Sequence, residues 1–454
     1  MDAQSAVRKS SPWRARFAVF ISGQALSLFG SSLVQYAIMW HITLTTRSGV
    51  MMTLSVLFGF VPTLLLSPFA GVLADRFDRR KLIVLSDAFI ALVTLALALL
   101  FASGRSSVWL LLVAQGLRSL GAALQGPAVG AIIPQIVPED KLTRANALNG
   151  TVQSALFIVS PLAAGALLSL LPLFSIFFID VGTAALAIVT FLAFLKVPPH
   201  AKAGSPQETS YFADMKDGFR YIRDHRYLIS FFVYMALLYI FVSPAAFLTP
   251  LQVARRFGPD VWRLSAIELA FSGGMTVGGL AVAAFGGFKN RIRTMLAATF
   301  VMGVCALGLG LLGNFWPYLG AMAVFGLVIP YFNTPSTVLL QEHVEDAYLG
   351  RVFSVLTMLS TSVMPLAMLL FGPLAELIPI ELILIATGAL MLLMVPWGLG
   401  NRRLIEAGAP IARGAAAPAA AEAESPAAES PAAEAAPPSP AAGGALTGGA
   451  AADA

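Results

Sequence analysis

The stretch GVLADRFDRRKLIVLSDAF, residues 71–89, puts six charges into the seven positions from Asp75 to Lys81, with Phe77 the one neutral residue. Both flanks are apolar. Across the whole chain only 12% of 454 residues are charged and 57% are hydrophobic, against about 25% charged in a soluble globular protein. A soluble chain of this length would divide into about three domains. The shortage of charge points instead to repeated membrane spans. Cys305 is the single cysteine, so a disulfide within the chain is impossible and a cysteine-based metal site is not expected. The four histidines are scattered, and no metal or cofactor is expected.

A helix needs about 20 apolar residues to cross a bilayer. About twelve runs qualify, at 17–45, 50–74, 82–103, 108–133, 146–170, 173–195, 227–250, 264–287, 294–313, 316–340, 351–375 and 380–400. Barrel strands would need about ten residues of alternating polarity, and these runs are continuous. The first run follows Arg8, Lys9, Arg14 and Arg16. It is too long for a signal-peptide core and ends at no small-residue cleavage site. It therefore reads as an anchor with its N-terminus inside. With an even number of spans, 23 of the 29 basic residues fall on inner segments, five fall in outer loops, and Arg118 lies inside a span. The positive-inside rule supports this count and places both termini in the cytoplasm.

The longest interruption, 196–226, sets the organisation. A segment 1–16 precedes a six-span bundle 17–195, then come the linker, a second bundle 227–400 and a tail 401–454. The expected fold is all-α, with two pseudo-symmetric six-helix bundles. In the linker, YFADMKDGFRYIRDH (211–225) puts Phe212, Met215, Phe219 and Ile222 on one helical face. A helix lying on the inner membrane surface fits that pattern; a solvated linker helix is the alternative. From about Gly408 the chain holds Ala, Pro, Ser, Gly and Glu without large apolar residues, a composition expected to be disordered. A weak parallel repeat relates the halves. Gln135–Glu139–Asp140 matches Gln341–Glu345–Asp346 in spacing, and an arginine follows each, Arg144 and Arg351. Six-span halves related in this way are a transporter architecture.

Gly71, Asp75, Arg76, Arg79, Arg80 and Lys81, between spans two and three, resemble the signature loop of the major facilitator superfamily, roughly G-x-x-x-D-R-x-G-R-R. Asp78 stands where that pattern has its second glycine. ADRFDRR with SDAF, LTRANALNG (142–150) and DMKDGFRYIRDH (214–225) are similar to a bacterial branch containing macrolide-efflux proteins and the enterobactin exporter. The resemblance covers residues 17–400. It implies a secondary transporter of the bacterial cytoplasmic membrane that works by alternating access. In the family's arrangement Asp75 faces the start of span eleven, near Gly350 and Arg351, and latches the halves together on the inside. Asp75 is suited to this, since it can accept from Arg79 or Arg80 and can face the positive end of a helix. Arg80 and Lys81 read equally well as topogenic charges on lipid headgroups. Pro161 and Gly165 resemble part of an antiporter motif whose other glycines are replaced, as at Ser160 and Ala164.

An ionisable group deep in a span is costly and usually functional. Arg118 follows Trp109 by nine residues, roughly 13 Å from the outer end at 1.5 Å per residue. It keeps its proton, so it would hold a carboxylate, tune one, or bind an anionic substrate. A purely structural ion pair is the other reading. Asp87 and Asp180 are candidate proton carriers, although their spans are peripheral in the family it resembles, which favours a structural role. Glu268 and Glu342 read as solvated charges at span ends. The family's cavity is lined mainly by spans one, four, seven and ten. Polar candidates there are Gln24, Gln35, Tyr36, Gln115, Tyr234, Tyr239, Tyr331 and Asn333.

Aromatics with a few amides suit a large amphipathic organic solute; the resemblance implies one of drug or macrolide type, exported in exchange for protons. A siderophore or metabolite is the alternative cargo. No GxxxxGK(S/T) loop is present, and no cluster of acids or histidines marks an enzyme. A receptor or scaffold is the remaining class. The expected partners are a small-molecule substrate, protons and lipids, without nucleic acid, and the chain is expected to be a monomer.

Overall fold

The computed structural model describes residues 13–195 and 211–409, apart from the side chains of 68, 72, 74–76 and 211–214. The segment 1–12, the first part of the linker and the tail from residue 410 lie outside the described residues. The helices, in order, are α1 (Trp13–Thr46), α2 (Gly49–Arg76), α3 (Arg79–Ala102), α4 (Val108–Ile136), α5 (Leu142–Leu170), α6 (Leu173–Phe194), α7 (Tyr211–Asp224), α8 (Arg226–Phe247), α9 (Thr249–Arg256), α10 (Val261–Phe285), α11 (Arg291–Leu311), α12 (Phe315–His343), α13 (Asp346–Leu377), α14 (Ile380–Gly400) and α15 (Arg402–Ala407). Among the described residues there are twelve candidate spans, with α8 and α9 forming the seventh.

Several helices begin at a polar residue that caps them. Ser48 accepts from the Met51 N–H at the start of α2. Asn290 does the same for Arg293 on α11, and Asn314 for Trp316 on α12. Each such cap contributes about 1 kcal/mol. The seventh span, expected as one run, breaks at Leu248–Thr249. Pro250 has no N–H to give the carbonyl four residues back. The chain recovers at once, with the Gln252 N–H on the Leu248 carbonyl at 2.8 Å.

The packing repeats between halves. In the first half α1 packs on α5 and α6, α2 on α4, and α3 on α4 and α6. In the second half α8 packs on α13 and α14, α10 on α12, and α11 on α12 and α14. This is one six-helix plan used twice. Close approach relies on small residues, as expected where lipid offers no hydrophobic drive between helices. A Cβ on Gly274 or Gly278 of α10 would strike the Ala323 or Leu327 carbonyl of α12.

Two seams join the halves, α2 against α13 and α5 against α10. At the far end, where α1 turns into α2, both seams are shut. Gly49 abuts the Gly372 carbonyl, and Gly165 abuts Ser265 and Trp40. Thr53 Oγ1 donates to the Met368 carbonyl at 3.1 Å. At the opposite, basic end, a Cβ added to Gly71 of α2, Gly150 of α5, Gly279 of α10 or Gly350 of α13 would meet nothing within 4 Å. Residues 146–159 of α5 are also largely exposed at that end, and on both observations the two halves close over a space that opens toward the basic end.

The linker helix α7 docks on α13, with Ile222 of the expected apolar face turned inward beside Tyr221. Tyr221 and Ile222 are buried while Phe219 is 45% exposed. Gly218 lets the helices meet, since a Cβ there would lie 2.8 Å from the Arg351 carbonyl. The Tyr221 ring stacks on Tyr348 at 4.5 Å, and burial pushes the Tyr221 phenol above its ordinary titration range.

Candidate functional site

Two carboxylates are buried within the first half. Arg118 Nη1 meets Asp180 Oδ2 at 2.6 Å, with the two side chains 9% and 1% exposed. Thr94 on α3 also contacts Arg118 Nη1, and its hydroxyl lies 3.1 Å from the same Asp180 oxygen. Arg118 Nη2 reaches the Ser31 carbonyl of α1 at 3.3 Å. The pair therefore ties α1, α3, α4 and α6 together. Asp87 has neutral partners. Its Oδ1 accepts from Ser27 on α1 and from Gln125 on α4, each at 2.7 Å. Its Oδ2 is buried without a hydrogen-bond partner, as are both amide atoms of Gln24.

The central cavity is a separate place. It has a volume of about 640 Å³ and lies between the halves, lined from α1, α2, α4 and α5 on one side and from α8 to α13 on the other. Gln35, Tyr36, Gln115, Tyr239 and Asn333 of the expected set line it, with Ser32 and Phe332. Ser55 Oγ donates to Gln115 Oε1 at 2.9 Å and so aims that amide. Three expected residues lie elsewhere. Gln24 is buried in the first half. Tyr234 is buried in the second half, its hydroxyl donating to Thr299 Oγ1 at 2.6 Å and its ring stacked on Trp397. Tyr331 packs against the hydrophobic core. Arg118, Asp87 and Asp180 do not line the cavity.

Sequence reasoning missed Gln153, Phe271, Ser360 and, above all, Glu268. Expected as a solvated charge, Glu268 lies on the cavity wall, half-buried. It is seven residues into α10, roughly 10 Å from the helix start. The sequence did hold a signal: IELAFSGG carries one acid and no base, so nothing local neutralises it.

The far-end seal has its own electrostatics. Glu376, near the end of α13, accepts from Ser48 Oγ at 2.7 Å and from the Gly49 and Val50 N–H groups. It therefore caps α2 from the other half, a carboxylate at the positive end of a helix. Arg255 on α9 completes the joint. It reaches Glu376 Oε2 at 3.2 Å, the Ala375 carbonyl at 2.7 Å and the Arg47 carbonyl at 2.6 Å. Arg47 takes φ 49°, a conformation uncommon outside glycine, and this turn presents its carbonyl to Arg255.

At the basic end the 71–81 loop is mostly a set of caps. Asp78 accepts from the N–H groups of Arg80 and Lys81 and starts α3. Arg79 Nη1 donates to the Ala131 carbonyl near the end of α4, at 2.7 Å. Arg80 Nη2 donates to the Phe191 and Leu192 carbonyls at the end of α6, at 2.8 and 2.7 Å. Cations at helix C-termini are favourable. The side chains of Asp75 and Arg76 lie outside the described residues. Arg144 is exposed at the start of α5, and the Arg351 guanidinium lies 5.4 Å from the Tyr348 ring centre.

The comparisons with known proteins agree with this architecture. The family model described as Major Facilitator Superfamily matches residues 17–368. Macrolide efflux protein A of Streptococcus pyogenes is 31% identical over 389 residues, 85% of this chain and 96% of that protein. The protein of the same name from Enterococcus faecalis is 33% identical over 324 residues, 71% of this chain and 98% of that one. A solved POT family transporter in complex with thioalcohol conjugated peptide matches with a TM-score of 0.65 at 13% identity, over 84% of this chain and 95% of the other, a likeness of fold alone. On the family match and these relatives, the chain is a multi-pass membrane protein that belongs to the Major Facilitator Superfamily.

Proposed function

We propose that this protein exports amphipathic organic compounds across a bacterial cytoplasmic membrane by alternating access, in exchange for protons. The observation that carries the reading is the cavity between two repeated halves, shut at one end and reachable from the other. The positive-inside rule assigns the reachable end to the cytoplasm, where cargo for export is taken up. The wall is mainly aromatic and aliphatic with a few amides, the composition of sites for organic ligands. The relatives named for macrolide efflux fit that cargo class. Outward opening then requires Glu376 to leave the α2 N-terminus, while Asp75 is assigned the converse latch at the inner end of α2.

For the proton we assign Asp87 rather than Asp180. Each carboxylate has one buried oxygen without a partner, but Asp180 is paired with Arg118, whereas the donors to Asp87 are the neutral Ser27 and Gln125. The test uses inside-out proteoliposomes with an acidic lumen. Ethidium or a macrolide is expected to accumulate inside, and nigericin to abolish the accumulation. Asp87→Asn is expected to remove gradient-driven uptake while leaving substrate binding within about twofold, an effect of ~0.4 kcal/mol. Uptake that ignores the gradient would refute antiport, and full driven uptake by Asp87→Asn would refute the residue assignment.

A further inference from the structure

We propose that Glu268 makes the central cavity a site for lipophilic organic cations, with its carboxylate as the charge-recognising group; this rests on the transport reading above. The acids of the spans can be sorted by partner. Asp180 holds Arg118, Glu342 holds Arg291, and Glu376 holds Arg255 and the start of α2. Glu381 lies 3.6 Å from Arg256. Asp87 is enclosed within the first half by Ser27 and Gln125. Among the described residues, Glu268 has no ion-pair or side-chain hydrogen-bond partner; its backbone carbonyl alone accepts, from Ser272. It nonetheless stands in a span, on the wall of the central cavity.

A carboxylate in that position is expensive unless something pairs with it. No lysine, arginine or histidine lines the cavity, so the protein supplies no counter-charge there, and Glu268 is the one acidic residue among those lining it. A positive charge on the occupant would pair with it. The aromatic walls agree. Tyr36, Phe271 and Phe332 line the same space, and ring faces attract cations. Gln35, Gln115 and Asn333 then serve the polar groups of the cargo without regard to its charge. A protonated amine or a quaternary centre on an apolar body satisfies every part of this wall. An organic anion of the same size does not, because it meets an uncompensated carboxylate.

Tetraphenylphosphonium and tetraphenylborate share a shape and differ in the sign of a permanent charge, so they isolate this effect from protonation of the ligand. Binding is followed by tryptophan fluorescence of the full chain in lipid nanodiscs, with protein-free nanodiscs as the partition blank. Tetraphenylphosphonium is expected to bind at least tenfold more tightly than tetraphenylborate. Glu268→Gln should abolish that preference, and Glu268→Asp should keep most of it. Equal binding of the two ions by the native protein would overturn the proposal, a result that needs no variant to fold. A preference unchanged in Glu268→Gln would overturn it as well. If both ions are carried equally in proteoliposomes, cation selection fails and export stands. If neither these ions nor a macrolide is bound or carried, both readings fail.

Discussion

Arg118 shows what one residue in a membrane span can and cannot announce. Its burial was legible, because an arginine flanked by apolar residues and small neighbours has nowhere polar to go. Its partner was not, since Asp87 lies at a similar depth from the inner face as Asp180 from the outer one, and the sequence does not show which of them the arginine side chain turns to. The structure gives the arginine to Asp180. Removing one partner strands the other charge, which costs about 3–5 kcal/mol in a buried pair, whereas replacing both with apolar residues is far milder. Arg118→Leu is accordingly expected to lower folded yield and thermal midpoint sharply in detergent, and Arg118→Leu with Asp180→Leu to recover much of the loss. Equal destabilisation by the single and double variants would mean that the pair does not act as a unit. Asp78 carries a related lesson. Compared with a family pattern it was a departure; as the N-cap of α3 it is an ordinary helix start, and a capping rule reads it directly. Glu268 escaped for the opposite reason. A helix apolar on every face gives no phase, so its one acid cannot be aimed from the sequence.

At the scale of elements, the apolar runs gave the twelve spans to within a few residues, because length and hydropathy decide insertion. What they did not give were the joints. The α8–α9 break follows from Pro250. It turns Arg255 and Arg256, read as outer-loop charges, into the last turn of a helix aimed at the seal. The linker helix was recognised, but its docking face depends on Gly218 and Tyr221 meeting α13, which periodicity cannot show. The Glu376 joint is the element-scale prediction. It crosses from α13 to the start of α2, and hydrogen bonds to a charged group are worth about 1.5–3 kcal/mol each. Glu376→Gln should loosen the far end. A cysteine placed at Ser55 on the cavity wall, in a Cys305→Ser background, should then react with a membrane-impermeant maleimide from the far side about tenfold faster, which is ~1.4 kcal/mol. An unchanged rate would show that the seal does not depend on this carboxylate.

For the whole molecule, the internal repeat predicted two halves, and the packing bears the same plan twice. The sequence could not say which end is open, since under the proposed alternating access one chain would encode both states, differing in contacts along two seams. In this structure the seams are closed at the far end and open at the basic end. Alternating access requires the same molecule to reverse that arrangement. The most direct test is a pair of distances measured by double electron–electron resonance in nanodiscs, again without Cys305. One pair of labels, at Ser106 and Gly313, reports the far end; the other, at Glu139 and Lys289, reports the basic end. Adding substrate at acidic pH should lengthen the first distance and shorten the second in the same population. Distances that stay fixed, or that lengthen together, would contradict the account.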